Sequence, residues 1–346
     1  MSCEGITDTG IMVALENLKH LKKVEYQQKF SLLEILIMWC TNRSKSEKML
    51  QFFKITEIKH VFPYGLMFLQ NHMTSLAQLL PQLTSLTLVT LDTTAAQLAQ
   101  FPQLQRITLE LEDYLGPGTL QLLTQLGPQL LEVSISCSSD PDAALALDQT
   151  AGPAGQQGQL FNAAVLAVGQ LCPAVTKLSV SGLGLVSTAA VSQLRIEDRL
   201  HSSSWLRQQA WFSQLESLTL LSYEDSHPSM SVHSSLLQSV LVSARQLQRL
   251  HLEGYFTTFL TDAYMASVLH SNPLASLHTL SISVSDEGST TARIPLSLRT
   301  VQALVATCSC VRELRLTDWS VAGEELQQMV TRARENNWDL TLIKRD

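Results

Sequence analysis

The chain has 346 residues with 24 Lys and Arg against 31 Asp and Glu, a net charge of −7, and it is 45% hydrophobic but only 16% charged. That balance argues against a nucleic-acid binder, whose affinity rests on Lys and Arg meeting phosphates. The longest apolar run, Phe30 to Cys40, is interrupted by Glu34 and falls short of a bilayer span. The opening Met1-Ser2-Cys3-Glu4-Gly5 lacks the basic and apolar regions of a signal peptide. The expectation is a cytoplasmic or nuclear protein with neither nucleic-acid nor membrane partners.

Taken from the N-terminus, Leu18-x-x-Leu21-x-x-Val24-x-Tyr26 reads as the interior of a repeat, with a first strand near Val24 and Tyr26. Residues 27–79 are irregular, and Ile55-x-x-Ile58-x-His60 is their strand-like candidate. From Leu80 a phrase recurs: Leu80-x-x-Leu83-x-x-Leu86-x-Leu88, then Phe101-x-x-Leu104-x-x-Ile107-x-Leu109, Gly127-x-x-Leu130-x-x-Val133-x-Ile135 and Cys172-x-x-Val175-x-x-Leu178-x-Val180. It continues as Phe212-x-x-Leu215-x-x-Leu218-x-Leu220, Ala244-x-x-Leu247-x-x-Leu250-x-Leu252, Leu274-x-x-Leu277-x-x-Leu280-x-Ile282 and Cys308-x-x-Val311-x-x-Leu314-x-Leu316. The last two aliphatics of each phrase alternate with a polar residue, so they share one face of a short strand. Amphipathic helices precede most of the phrases, such as Gly118 to Leu126, Leu160 to Leu171, Ser234 to Ala244 and Leu298 to Thr307. Pro81, Pro102, Pro128 and Pro173 end the helical pattern where the strand must begin.

This is the leucine-rich-repeat pattern, in which a strand and its return element bury their apolar faces only by stacking on neighbours. The predicted fold is α/β: a leucine-rich-repeat solenoid, or horseshoe, with a parallel concave β-sheet and convex helices. One array spans residues 1–346, with irregular N-terminal repeats over 1–80, main repeats over 81–320 and a C-terminal cap over 321–346. The cap would contain a helix from Gly323 to Arg334 and a last strand at Trp338-Asp339-Leu340-Thr341-Leu342. Two excursions enlarge the spacing. Ser138 to Gln159, rich in Ala, Gly, Pro and Gln, reads as a loop, and Gly182 to Ser204 as a more helical insertion.

The sequence offers no chemistry of its own. Phosphate-loop, nucleophile-elbow, zinc-protease and dinucleotide motifs are all absent. Cys308-Ser309-Cys310 has no second pair or nearby His to complete a zinc site. Cys172 and Cys308 stand in the slot that other phrases give to Leu80, Phe101 or Phe212, so they read as core residues. No catalytic, cofactor-binding or metal-binding residue is expected, and the protein is read as a non-enzyme. Tyr223, Tyr255 and Trp319 each stand three residues past a strand aliphatic, and the resemblance to leucine-rich repeats, which place an inward-pointing Asn or Cys there, implies that they fill the core.

The candidate sites are surfaces. Between the strand aliphatics stand Thr87, Thr108, Ser134, Ser179, Thr219, His251, Ser281 and Arg315, and beside them Ser85, Arg106, Glu132, Lys177, Ser217, Arg249, Thr279 and Glu313. Of these, Arg106, Thr108, Glu132, Lys177, Arg249, His251, Glu313 and Arg315 are the expected partner-binding residues of the concave face. Past the strands the chain is acidic, at Glu112 and Asp113, Glu224 and Asp225, Asp286 and Glu287, and Asp318. These read as a rim that steers a basic segment of a protein partner over the screening distance of about 8 Å.

The phrase Cys3-x-x-Ile6-Thr7-Asp8-x-Gly10, with Cys172-Pro173-x-Val175 and Cys308-x-x-Val311, resembles the cysteine-containing repeats of F-box/leucine-rich-repeat proteins. The resemblance implies a non-catalytic interaction solenoid that serves as the substrate-recognition part of an SCF-type ubiquitin ligase. The alternative is a stand-alone scaffold or inhibitor unrelated to ubiquitin. The nearest string to an F-box opening, Leu32-Leu33-Glu34-Ile35-Leu36, lacks that module's proline. SCF components are therefore expected as partners only if an F-box lies upstream of this sequence.

Overall fold

A computed structural model describes residues 23–26, 57–60, 77, 80–137, 160–182, 185–186, 188–194, 211–221, 234–254, 260–283, 296–308, 310–316 and 323–335. Twelve strands are defined there: β1 Lys23–Tyr26, β2 Glu57–His60, β3 Ser85–Thr90, β4 Arg106–Leu111, β5 Tyr114–Leu115, β6 Glu132–Cys137, β7 Lys177–Ser181, β8 Leu185–Val186, β9 Ser217–Leu221, β10 Arg249–Glu253, β11 Thr279–Ser283 and β12 Glu313–Leu316. The helices are α1 Asp92–Ala95, α2 Pro117–Leu126, α3 Leu160–Leu171, α4 Thr188–Leu194, α5 Ser234–Ser243, α6 Asp262–Ser271, α7 Leu298–Thr307 and α8 Gly323–Glu335.

Ten strands form one open sheet in the order β1-β2-β3-β4-β6-β7-β9-β10-β11-β12, and all its pairings are parallel. Spatial order follows chain order, as a stack of strand-plus-return units requires. Register is set by the phrase itself. Leu86 faces Ile107, Ile107 faces Val133, and the same slot continues through Leu178, Leu218, Leu250, Leu280 and Leu314. A slip of one residue would turn every such aliphatic to the other face. These residues are almost fully buried, and they join Leu120, Leu123, Val165, Leu237, Val268 and Leu304 of the helices in one core. Cys172 and Cys308 belong to that core, and burial pushes both thiols up to about 12.

One backbone device repeats along the sheet. The residue before each strand offers its carbonyl to two successive N–H groups of the next unit. Thr84 O accepts from Gln105 and Arg106, Gln105 O from Leu131 and Glu132, and Leu131 O from Thr176 and Lys177. The carbonyls of Thr176, Glu216, Gln248 and His278 repeat it at distances between 2.7 and 3.0 Å. These bonds fix each unit to the next before the strand ladder begins.

On the helix side, carboxylates join the units. Asp92, 2% exposed, accepts from the amides of Gly116 at 2.9 Å, Gly118 at 2.8 Å and Thr119 at 2.8 Å. It thereby caps α2, the helix of the following unit, with a charge matched to the helix's positive end. Asp262 does the same further on, accepting from Ser297 N at 2.8 Å at the cap of α7. Gly118 is required at its position, because an added Cβ would lie 1.9 Å from Asp92 O.

The structure also contains a two-stranded parallel ladder, β5 with β8, which brackets the trailing end of β6. The expected loop 138–159 and the expected last strand at 338–342 lie outside the described residues. No described helix is long and apolar enough to cross a membrane.

Candidate functional surface

The face of the sheet opposite the helices is lined by the polar residues of the phrase. Strand register brings Thr87, Thr108, Ser134, Ser179, Thr219, His251, Ser281 and Arg315 side by side as one row. Arg106, Glu132, Lys177, Ser217, Arg249, Thr279 and Glu313 form the parallel row nearer the N-terminal ends of the strands. Neighbouring strands lie about 4.8 Å apart, so each row is continuous. All eight residues expected on this face are thus placed on it. Thr108, Ser134, Ser179 and Thr219 make a short, hydroxyl-bearing floor, and longer charged side chains stand beside it.

Several of those charges answer one another. Lys177 Nζ pairs with Glu132 across β7 and β6, the two side chains being 42% and 32% exposed. Arg315 donates through Nε to Glu313 at 2.6 Å along β12, and Thr279 Oγ1 also donates to Glu313, at 3.4 Å. His251 Nε2 lies 3.4 Å from Glu253 Oε2. Of these, Lys177–Glu132 and Thr279–Glu313 cross between strands, and such pairs hold register, so part of the charge pattern serves the sheet itself. Arg106 and Arg249 are exposed and make no ion pair among the described residues.

The expected acidic rim divides. Glu112 is half-buried next to Glu110, and its pKa is raised, first by burial and then by that neighbouring carboxylate. Asp113 is not a rim residue. It is buried, and its carboxylate accepts from Asp92 N at 3.0 and 3.2 Å. The physical reason is that the β4–β5 turn folds inward against the start of α1, so this carboxylate serves the backbone amide of Asp92. Burial outweighs those bonds and lifts its pKa to about 6. Glu224, Asp225, Asp286, Glu287 and Asp318 lie outside the described residues, as do Tyr223, Tyr255 and Trp319. Glu110 and Glu253 are the other carboxylates placed at the trailing ends of described strands.

One surface residue departs from the polar pattern of the phrase's variable positions. Leu131, 38% exposed, is the one exposed large hydrophobic side chain among the described residues. It stands immediately before β6, in a slot filled elsewhere by Thr84, Gln105, Thr176, Glu216, Gln248, His278 and Arg312. The phrase is defined by its fixed aliphatic positions, so an aliphatic at one of its variable positions attracts no notice. Comparing that slot between units would have exposed it. No group of His, Cys, Asp and Glu suited to a metal ion occurs among the described residues.

No protein-family model matches the chain, and no curated protein matches it. Among solved structures it is similar to the one described as the crystal structure of Rad7 and Elc1 complex in yeast, at 13% identity and a TM-score of 0.39, over 98% of this chain and 93% of that one.

Proposed function

We propose that the protein is a leucine-rich-repeat solenoid acting as a non-catalytic protein-interaction module, with the open face of its sheet as the binding surface. One observation carries this reading: the sheet presents a continuous, register-locked polar face with no helix packed over it among the described residues. Extended faces of stacked repeats are the usual binding surfaces of such folds. Carboxylates at the trailing strand ends, Glu110, Glu112 and Glu253, favour a partner that carries a basic segment along that edge.

The test is photo-cross-linking in cells, with a photoreactive amino acid placed singly at Thr108, Ser179 or Thr219 on the face, or at Gln121 or Gln125 on the exposed side of α2. Discrete adducts from the three face positions and none from the helix positions are expected. Adducts confined to the helix positions would transfer the binding surface to the other side. Ubiquitin-ligase substrate recognition, implied by the resemblance to F-box/leucine-rich-repeat receptors, has its own test. Purified SCF adaptor should be retained by the protein immobilised together with any segment encoded upstream of this sequence, if this protein is itself the receptor subunit. Failure to retain it favours the scaffold or inhibitor reading.

A further inference from the structure

The N-terminal ends of β4, β6 and β7 carry three features that meet at one place. The first is Leu131, an exposed aliphatic in a slot that every other described unit fills with a polar residue. An isolated surface leucine needs no explanation in general. This one is held by the backbone device that repeats along the sheet, with one bond more from Thr176 Oγ1. Its carbonyl accepts from Thr176 N at 2.7 Å, Lys177 N at 3.1 Å and Thr176 Oγ1 at 3.1 Å, so its backbone is fixed before any partner arrives. A preorganised apolar group loses little freedom on binding, which is what an anchor position requires.

The second feature is charge. In the row beginning one residue later, Glu132 is flanked in register by Arg106 on β4 and Lys177 on β7. Two cations therefore flank one carboxylate: Lys177 pairs with it, and Arg106 is exposed and makes no ion pair among the described residues. This local excess of positive charge stands out on a chain of net charge −7. The third feature is the floor: Thr108, Ser134 and Ser179 lie two residues further along the same three strands, and their short side chains leave room for a partner's backbone to approach the sheet.

From this juxtaposition we propose that the leading edge of β4, β6 and β7 binds an acidic linear segment of a protein partner, with one large apolar side chain seated against Leu131 and its carboxylates facing Arg106 and Lys177. The proposal rests on the protein-binding reading of the open face and deepens it. It assigns the leading edge a ligand opposite in charge to the one that suits the carboxylates at the trailing edge. A segment crossing the face with its acidic side toward β-strand starts therefore has one favoured orientation.

The experiment uses the full chain, immobilised and panned with a display library of random linear peptides. Enriched sequences should combine Asp or Glu with a Leu, Ile, Phe or Trp. Their affinity, measured with the synthesised peptides, should fall about tenfold or more on Leu131→Asp and on Arg106→Glu, the effect of removing a central contact. Peptides with the acidic residues changed to Lys should regain affinity for the Arg106→Glu chain. Both positions are surface-exposed, and unchanged circular dichroism verifies the fold of each variant.

Enrichment of basic peptides alone, or of acidic peptides indifferent to both substitutions, would overturn the proposal. So would sedimentation showing that the patch joins two copies of this chain and that Leu131→Asp abolishes the dimer. If the library yields no binder, linear segments are not what this edge takes, and the proposal fails while the photo-cross-linking test of the open face stands independently.

Discussion

At the scale of single residues, the most constrained group is Asp92. Three backbone amides of the next unit converge on its carboxylate. Asp92→Ala should destabilise the fold by about 2–4 kcal/mol, since buried donors left unpaired each cost about 1–3 kcal/mol. The loss would be read from urea unfolding as a lower midpoint with an unchanged slope. Asp113 makes a different prediction because its folded pKa, about 6, lies above the ordinary 3.8. Such a group contributes stability that is fully present below pH 3.8 and is lost as pH rises through about 6. The thermal midpoint of the native chain should therefore fall relative to that of Asp113→Asn between pH 5 and pH 7. A constant difference between the two across that range would show that the Asp113 carboxylate is not desolvated in the fold.

Strain is stored at two further residues. Phe212 and Leu274 have φ of 58° and 49°, in the left-handed region that bulky side chains avoid. They fill the same slot of the phrase as Phe101, which stays at φ −92°. Proline after the slot keeps Phe101 extended, but the next residue alone does not decide the matter, because Cys308, in the same slot before Ser309, stays at φ −88°. The buried side chains of Phe212 and Leu274 outweigh a backbone cost of about 1–2 kcal/mol.

At the scale of elements, the alternating phrase disclosed the strands because its period is two and its buried face is uniform. β3, β4, β6, β7 and β9 to β12 all lie where the last aliphatics placed them, and even the weak candidates near Val24 and Ile58 are strands. Helices with a clear apolar stripe, such as Leu160–Leu171 and Leu298–Thr307, coincide with their expected limits. The reading missed α6, Asp262–Ser271, whose buried face is only Met265 and Val268, with Tyr264 and Leu269 half-buried beside them. Too few apolar positions recur there to reveal a helix. The β5–β8 ladder was also invisible, because two-residue strands have no period. The surface rows were legible from the phrase, but the burial of Asp113 was not. Its role depends on the Asp92 amide 21 positions away, and nothing local distinguishes it from the exposed acids nearby.

The carboxylates joining successive helices should be separable in their effects. Asp262 is exposed, and hydrogen bonds from Thr300 and Ser297 lower its pKa. Its contribution is present above the ordinary carboxylate range and lost on acidification. Asp262→Asn should cost less than about 1 kcal/mol at neutral pH, because water screens and replaces exposed bonds of this kind. The contrast with Asp92→Ala, measured in the same denaturant series, distinguishes a buried cap from a surface one.

At the scale of the whole molecule, each unit touches chiefly its neighbours, so stability is distributed along the stack. A chain ended at Ser243 should keep parallel-sheet and helix signals in circular dichroism, with a lower unfolding midpoint than the full protein. Complete loss of structure on that cut would mean that the far end of the chain is needed for the near end to fold. The open face depends on the same stacking, because its rows exist only while neighbouring strands stay in register.

That register is tested most directly by thiol proximity on the open face. Ser134 and Ser179 face one another on β6 and β7, whereas Ser134 and Ser281 are separated by several strands. Cysteines placed at each pair would be treated with dibromobimane, which becomes fluorescent on bridging two close thiols, and compared with the unsubstituted chain. Bridging in the Ser134→Cys/Ser179→Cys chain and none in the Ser134→Cys/Ser281→Cys chain is the predicted result. No bridging in the first, or bridging in the second, would contradict a register-locked polar face and the binding surface built on it.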